Sequence, residues 1–157
     1  MRIRYIVVAV IEDADKVLLG KSQPGRPPYP DLWRTPGGGA EDPVRAEALM
    51  RIGAYDDEYF HEELRREMRE ELSIEIENIQ NIIPRYRKTV REGDAFDKNN
   101  EPIHYFFLEY LCNHKSGDVK AGDDLALAAW IPKNKLKTLT LTPPSSELYE
   151  ELGWIKN

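Results

Sequence analysis

The 157-residue sequence predicts one α/β domain, and three features carry that prediction. Residues 4–11 and 103–111 are rich in β-branched and aromatic residues and read as strands. Residues 58–72 repeat their apolar positions at helical spacing. Proline and glycine clusters punctuate the chain between these segments, with no repeat, low-complexity tract or linker to divide it. A chain of this length buries a proper core without staples.

Taken in order, residues 4–11 suit a buried strand, and residues 16–20 follow a polar turn at 12–15, which predicts a hairpin. Residues 22–31 hold four prolines and a glycine and predict a loop. Trp33 to Gly39 reads as an extended piece running into a flexible glycine triplet. A short helix is expected over 43–54, ending near Gly53. Asp56 or Asp57 then caps a longer helix running to about Leu72. Residues 74–84 alternate as a strand does, 91–101 form a polar loop, and 124–131 form a further strand stopped by Pro132. A last helix is expected over 145–152, capped by Ser145 or Ser146.

Composition excludes several functions. The formal net charge of −6 argues against a nucleic-acid polymer as partner, although a metal ion can invert the charge locally around a small phosphorylated substrate. The single cysteine, Cys112, has no internal partner and lies in an apolar run, as a core residue would. The apolar run at 6–11 is too short for a signal-peptide core or a membrane span, so a cytoplasmic protein without a membrane partner is expected.

The chemistry is written in the long helix. Phe60, Leu64, Met68 and Leu72 form one stripe at about 100° per residue. A solvated charged face belongs opposite that stripe. Instead Glu71 projects about 20° from Phe60, and Glu67 about 20° on its other side, with Glu70 about 60° further out. Glu63, Glu67 and Glu71 are also like-charge neighbours four apart, each pair mildly destabilising. A cation repays that arrangement, and clustered carboxylates on a rigid helix suit Mg²⁺. The competing reading is a solvated helix laced with pairs such as Glu62–Arg66 and Arg66–Glu70.

Arg66-Glu67-Met68-Arg69-Glu70-Glu71-Leu72-Ser73-Ile74 resembles the core of the Nudix box, G-x5-E-x7-R-E-U-x-E-E-x-G-U with U aliphatic. Glu58 stands eight before Arg66, as the earlier glutamate of the box does. Pro36-Gly37-Gly38-Gly39 resembles the PGG that opens it, preceded by a Trp33 typical of the family. The likeness extends over nearly the whole chain. It implies an α/β/α sandwich around a mixed sheet, and an enzyme cutting a diphosphate linkage. Residues 122–130 are similar to the segment where many members place an acidic residue six before a tryptophan. With the aromatic strand, they resemble members acting on pyrimidine deoxynucleoside triphosphates.

The resemblance implies that Glu67, Glu70 and Glu71, with the carbonyl of Gly37, hold Mg²⁺, for which Mn²⁺ can substitute. It implies that Arg66 orients a glutamate through a charge-assisted bond. Glu58 would act behind the ligands or cap the helix. Either a box glutamate or an acid from another loop takes the proton of the attacking water. Asp124 is the candidate for that outside acid, with Asp123 and Glu101 behind it. Arg26, Tyr29 and Trp33 are candidate substrate contacts, as are Tyr105 and Phe106 for a base and Arg85, Arg87 and Lys88 for phosphates. His61 and His104 lack metal-ligand spacing and are expected to be structural.

Three departures from the pattern stand out. Glu58 follows Gly38 by twenty positions where the pattern has six, so about fourteen residues are inserted. Ser73 replaces the glycine after the helix, which implies a different C-terminal turn. Asp57 replaces the glycine before the earlier glutamate. None removes a metal ligand.

The function expected is hydrolysis of a small nucleotide, a (deoxy)nucleoside triphosphate before a nucleotide sugar, dinucleotide or ADP-ribose. A nucleotide-sensing module without turnover is the alternative of another class. Many family members are dimers, so a homodimer stays open.

Overall fold

The computed structural model describes residues 2–25, 30–82 and 103–156. Along them run β1 (Arg2–Asp13), β2 (Lys16–Ser22), β3 (Trp33–Arg34), β4 (Gly37–Gly39), α1 (Pro43–Arg51), α2 (Glu58–Leu72), β5 (Glu75–Asn81), β6 (Ile103–Ser116), β7 (Leu125–Pro132), a 3-10 turn (Lys133–Thr138) and α3 (Pro143–Glu151). No helix among the described residues is long and apolar enough to cross a membrane.

β1 is the spine of a mixed sheet. It runs parallel to β6 from Arg2 beside Ile103 to Ile11 beside Cys112, and antiparallel to β4 on its other edge. Its last two residues, Glu12 and Asp13, turn to pair with Val17 and Lys16 of β2. β2 then pairs with β3 and β7, while β5 closes the other side against β6. The parallel pair needs a crossover, which α1, α2 and β5 supply.

Strand alternation sorts the side chains into two layers. Val7, Ala9 and Ile11 of β1 pack with Leu108, Tyr110 and Cys112 of β6 beneath α1 and α2. Val10 faces the other way and joins Val17, Leu19, Leu136, Leu148 and Tyr149 beneath α3. The helices therefore cover both faces, as the expected sandwich requires. On this second face the outer residues Arg4, Ile6 and Val8 lie beside Tyr105, Phe107 and Glu109 and line a cleft instead of a core.

Several boundaries differ from expectation. The glycine triplet is a hydrogen-bonded strand, because Gly37, Gly38 and Gly39 pair with Val8, Val7 and Ile6. β6 runs on to Ser116 because β5 pairs with its outer half. α3 starts at Pro143 rather than Ser145, with two prolines in the first turn, where no amide hydrogen is needed. Ser145 is thus inside the helix, and its hydroxyl accepts from Thr35 N at 2.9 Å.

Candidate active site

α2 is held by its apolar stripe. Phe60, Leu64, Met68 and Leu72 are fully buried, each contributing about 1.5–3 kcal/mol. Like-charge pairs four apart cost only about 0.2–0.5 kcal/mol each, so the stripe wins and the glutamates are carried inward. Glu63, Glu67 and Glu71 are all buried, Glu71 with 1% of its surface exposed. The helix begins on Asp57, whose carboxylate accepts from Tyr59 N at 2.9 Å. It ends on Ser73 in the left-handed conformation, φ 60°, with Ile74 N reaching back to Met68 O. The turn expected to differ is therefore the left-handed turn that glycine favours, made by a serine.

β4 gives the glutamates room. A Cβ on Gly38 would sit 2.3–2.6 Å from the Glu67 carboxylate, and one on Gly37 would lie 2.1 Å from Val7 O. Glu67 thus rests on bare backbone. Glu71 is anchored on both oxygens, Oε1 accepting from Gly37 N at 2.8 Å and Oε2 from Arg34 Nη2 at 2.7 Å. Arg34 also donates from Nη1 to the Gly37 carbonyl (3.3 Å) and from Nε to Ser22 Oγ (3.2 Å).

Arg66 ties the rest together. Its Nε donates to Glu63 Oε2 at 2.9 Å, and its Nη1 lies 3.1 Å from both Glu67 and Glu70. Nη2 reaches Gly39 O at 3.3 Å. Glu63 also accepts from Glu41 N (2.7 Å) and Tyr59 OH (3.0 Å). Burial raises the Glu63 carboxyl, but these donors outweigh it and hold it below the usual range. Glu67 goes the other way: burial first, then the charges of Glu71, Glu70 and Asp123, push it up to about 7 against the pull of Arg66. Burial also raises Glu71, against Arg34 and the Gly37 amide.

These groups open onto a cleft of about 450 Å³, a volume that suits a small molecule. Asp123 and Asp124 line it together with Glu67, Arg66, Tyr105 and Glu109. The structure thus brings Gly37, Arg66, Glu67 and Asp124 to one cavity, with Glu71 behind Gly37 and Glu70 on the Arg66 flank, half exposed.

Other sequence candidates lie elsewhere. Glu58 is an exposed first-turn residue paired with Arg65 at 2.7 Å. Asp57 is the cap, and Glu63 is the buried glutamate that Arg66 grips through Nε. Trp33 packs with the core under α3 and does not line the cleft. Phe106 stacks on Tyr5 on the opposite face, with centroids 5.7 Å apart. His61 bonds Asp56 at 3.1 Å. Cys112 is buried and its thiol is pushed up to about 12, which leaves it inert. Arg26, Tyr29, Arg85, Arg87, Lys88 and Glu101 lie outside the described residues.

Sequence reasoning missed Arg34, Arg4 and Glu109, and weighed Glu63 only as a repulsive neighbour. Glu63 shares the row of Glu67 and Glu71, which was the available signal. Arg34 had none, because its partner Glu71 lies 37 residues further along the chain.

The donors suit a hard divalent cation: carboxylates and a backbone carbonyl, all oxygen, with negative charge in excess of the two guanidiniums. They are not converged on one point. Among the described residues no three acidic, His or Cys side chains form a ready-made metal cluster. Their oxygens are turned to Arg34, Arg66 and the Gly37 amide.

A mixed sheet between helices, with a buried glutamate row behind a glycine strand, is the architecture expected of a Nudix hydrolase. The chain belongs to that family: its residues 1–152 match the NUDIX domain model. It is 29% identical over 154 residues to the nucleoside triphosphatase NudI of Enterobacter sp. (strain 638), covering 98% of this chain and 99% of that protein. It superimposes on the crystal structure of a MutT Nudix hydrolase from Burkholderia pseudomallei with a TM-score of 0.71 at 21% identity, covering 97% of this chain and 99% of that one. The Nudix domain of Shewanella oneidensis NrtR, complexed with ADP ribose, matches with a TM-score of 0.66 at 17% identity, over 98% and 87% of the two chains. At such identities the two structures bear on the fold alone.

Proposed function

We propose that the chain uses Mg²⁺, with Mn²⁺ as a substitute, to hydrolyse a phosphoanhydride bond in a nucleoside diphosphate linked to another moiety. A (deoxy)nucleoside triphosphate is the favoured substrate, with pyrophosphate or phosphate released. The observation that carries this reading is the buried Glu67–Glu71 pair held against bare β4 backbone at the wall of the cleft. Nucleoside triphosphatases among the relatives support the triphosphate over nucleotide sugars, dinucleotides and ADP-ribose. Retention of every box glutamate supports turnover over sensing alone. On this reading residues 1–157 act as one hydrolase domain on a small nucleotide and need neither a nucleic-acid polymer nor a membrane.

Glu67, Glu70, Glu71 and the Gly37 carbonyl would hold the ion. When bound, it supplies charge neutralisation at the phosphates and polarises water. Arg66 keeps the Glu67 and Glu70 carboxylates oriented by charge-assisted bonds. The Asp124 carboxylate, on the cleft wall, takes the proton from the attacking water, with Glu67 as the rival for that role. Tyr105 and Phe107 offer the adjoining aromatic surface for a base.

The test is Mg²⁺-dependent turnover of a panel of nucleoside triphosphates, nucleotide sugars and dinucleotides, with phosphate detected with and without added pyrophosphatase or phosphatase. Nucleoside triphosphates should be consumed fastest. Residues behind metal ligands are worth about 10- to 100-fold, so Glu70→Gln should cost at least about 100-fold. Turnover confined to nucleotide sugars or dinucleotides would reassign the substrate. Nucleotide binding without any turnover would overturn the hydrolytic reading.

A further inference from the structure

Arg34 is fixed at all three guanidinium nitrogens: Nε to Ser22 Oγ, Nη1 to the carbonyls of Thr35 and Gly37, and Nη2 to Glu71 Oε2. Two of those acceptors, Glu71 and the Gly37 carbonyl, are oxygens assigned above to the divalent ion. Arg66 also touches that set, through Nη1 at 3.1 Å from Glu67 and Glu70, but its Nε and Nη2 bond Glu63 and Gly39 O outside it. A buried carboxylate is costly without a partner, and for Glu71 the partner cation is Arg34. Among the described residues, four carboxylates, Glu63, Glu67, Glu70 and Glu71, share these two guanidiniums. The cluster keeps an excess of negative charge that a divalent ion matches, but the ion and Arg34 need the same oxygens.

We propose that Arg34 is the resident cation of the metal site: it neutralises Glu71 in the metal-free protein, competes with the divalent ion for Glu71 and the Gly37 carbonyl, and so sets metal affinity. This rests on Glu71 and Gly37 being ligands. Arg34 then acts as a positioning residue that keeps the buried carboxylate aligned until the ion displaces it. Its Ser22 and Thr35 contacts hold the guanidinium in the position from which it competes for Glu71.

The test is Mn²⁺ binding by calorimetry, with thermal unfolding in EDTA and in saturating Mn²⁺, on the wild type, Arg34→Gln and Glu71→Gln. Arg34→Gln is expected to bind Mn²⁺ at least about fivefold more tightly, the lower end of ordinary coupling between sites. It should also melt below the wild type in EDTA, with the gap narrowing in Mn²⁺ as the ion takes over the neutralisation. Unchanged or weaker Mn²⁺ binding with a constant melting gap would overturn the proposal and leave Arg34 a structural clamp. Should Arg34→Gln not fold, Ser22→Ala removes only the Nε anchor. It should tighten Mn²⁺ binding in the same direction, and no tightening counts against the proposal. Glu71→Gln separates the two readings: unchanged Mn²⁺ affinity there means that Glu71 is not a ligand, whatever Arg34 does.

Discussion

A carboxylate pressed onto glycine backbone has few donors to spread its charge into, and Glu67 is in that position. Its carboxyl is raised from 4.5 to about 7, first by burial and then by Glu71, Glu70 and Asp123. The linkage follows from the sign of that shift. Between about pH 4.5 and 7 the folded metal-free chain holds a proton that the unfolded chain has released, so stability from this residue is present at low pH. It is lost as pH rises through about 7. Urea midpoints measured in EDTA from pH 5 to 8 should therefore fall more steeply for the wild type than for Glu67→Gln. Equal slopes would mean that another group titrates. The position of Glu67 was legible in the sequence, because helical period alone places it beside Phe60. Arg34 was not, since its partner lies 37 residues away and only strand pairing brings them together.

At the scale of elements, β4 and α2 work as a pair. Their contact was half legible: the glycines and the glutamates were both singled out, but the triplet was read as flexible rather than as a strand. What period cannot say is which helix residue meets which glycine. The geometry separates two neighbouring substitutions. Gly38→Ala meets the far end of the Glu67 side chain, which can move aside, so the protein should fold with less than about 1 kcal/mol lost. Glu67 is then displaced, and activity should fall by about tenfold or more. Gly37→Ala meets backbone, Val7 O at 2.1 Å, and should cost about 1–3 kcal/mol or more by overpacking. Denaturant unfolding beside turnover checks both. Equal stability losses in the two variants would show that β4 does not hold the glutamates as described.

Across the whole molecule, the order of elements followed from apolar patterning, because each strand and helix signals its own buried face. The cleft did not, because its walls come from β1, β2, β3, β4, β6, α2, α3 and the loop before β7. Those walls concentrate carboxylates in a chain already at net charge −6. Self-repulsion of that kind lowers the stability of the compact state, and a bound cation relieves it only where the fold holds the carboxylates together. An ion that binds the folded but not the unfolded chain stabilises by about 2.7 kcal/mol at a hundred times its dissociation constant. For a chain of this size that is about 5–10 °C in melting temperature. Saturating Mg²⁺ should raise the melting temperature by that amount and EDTA should reverse it, while NaCl at equal ionic strength gives much less, since screening acts on surface charge generally. An equal rise with NaCl would mean that the acidic cluster responds to ionic strength alone and holds no specific ion.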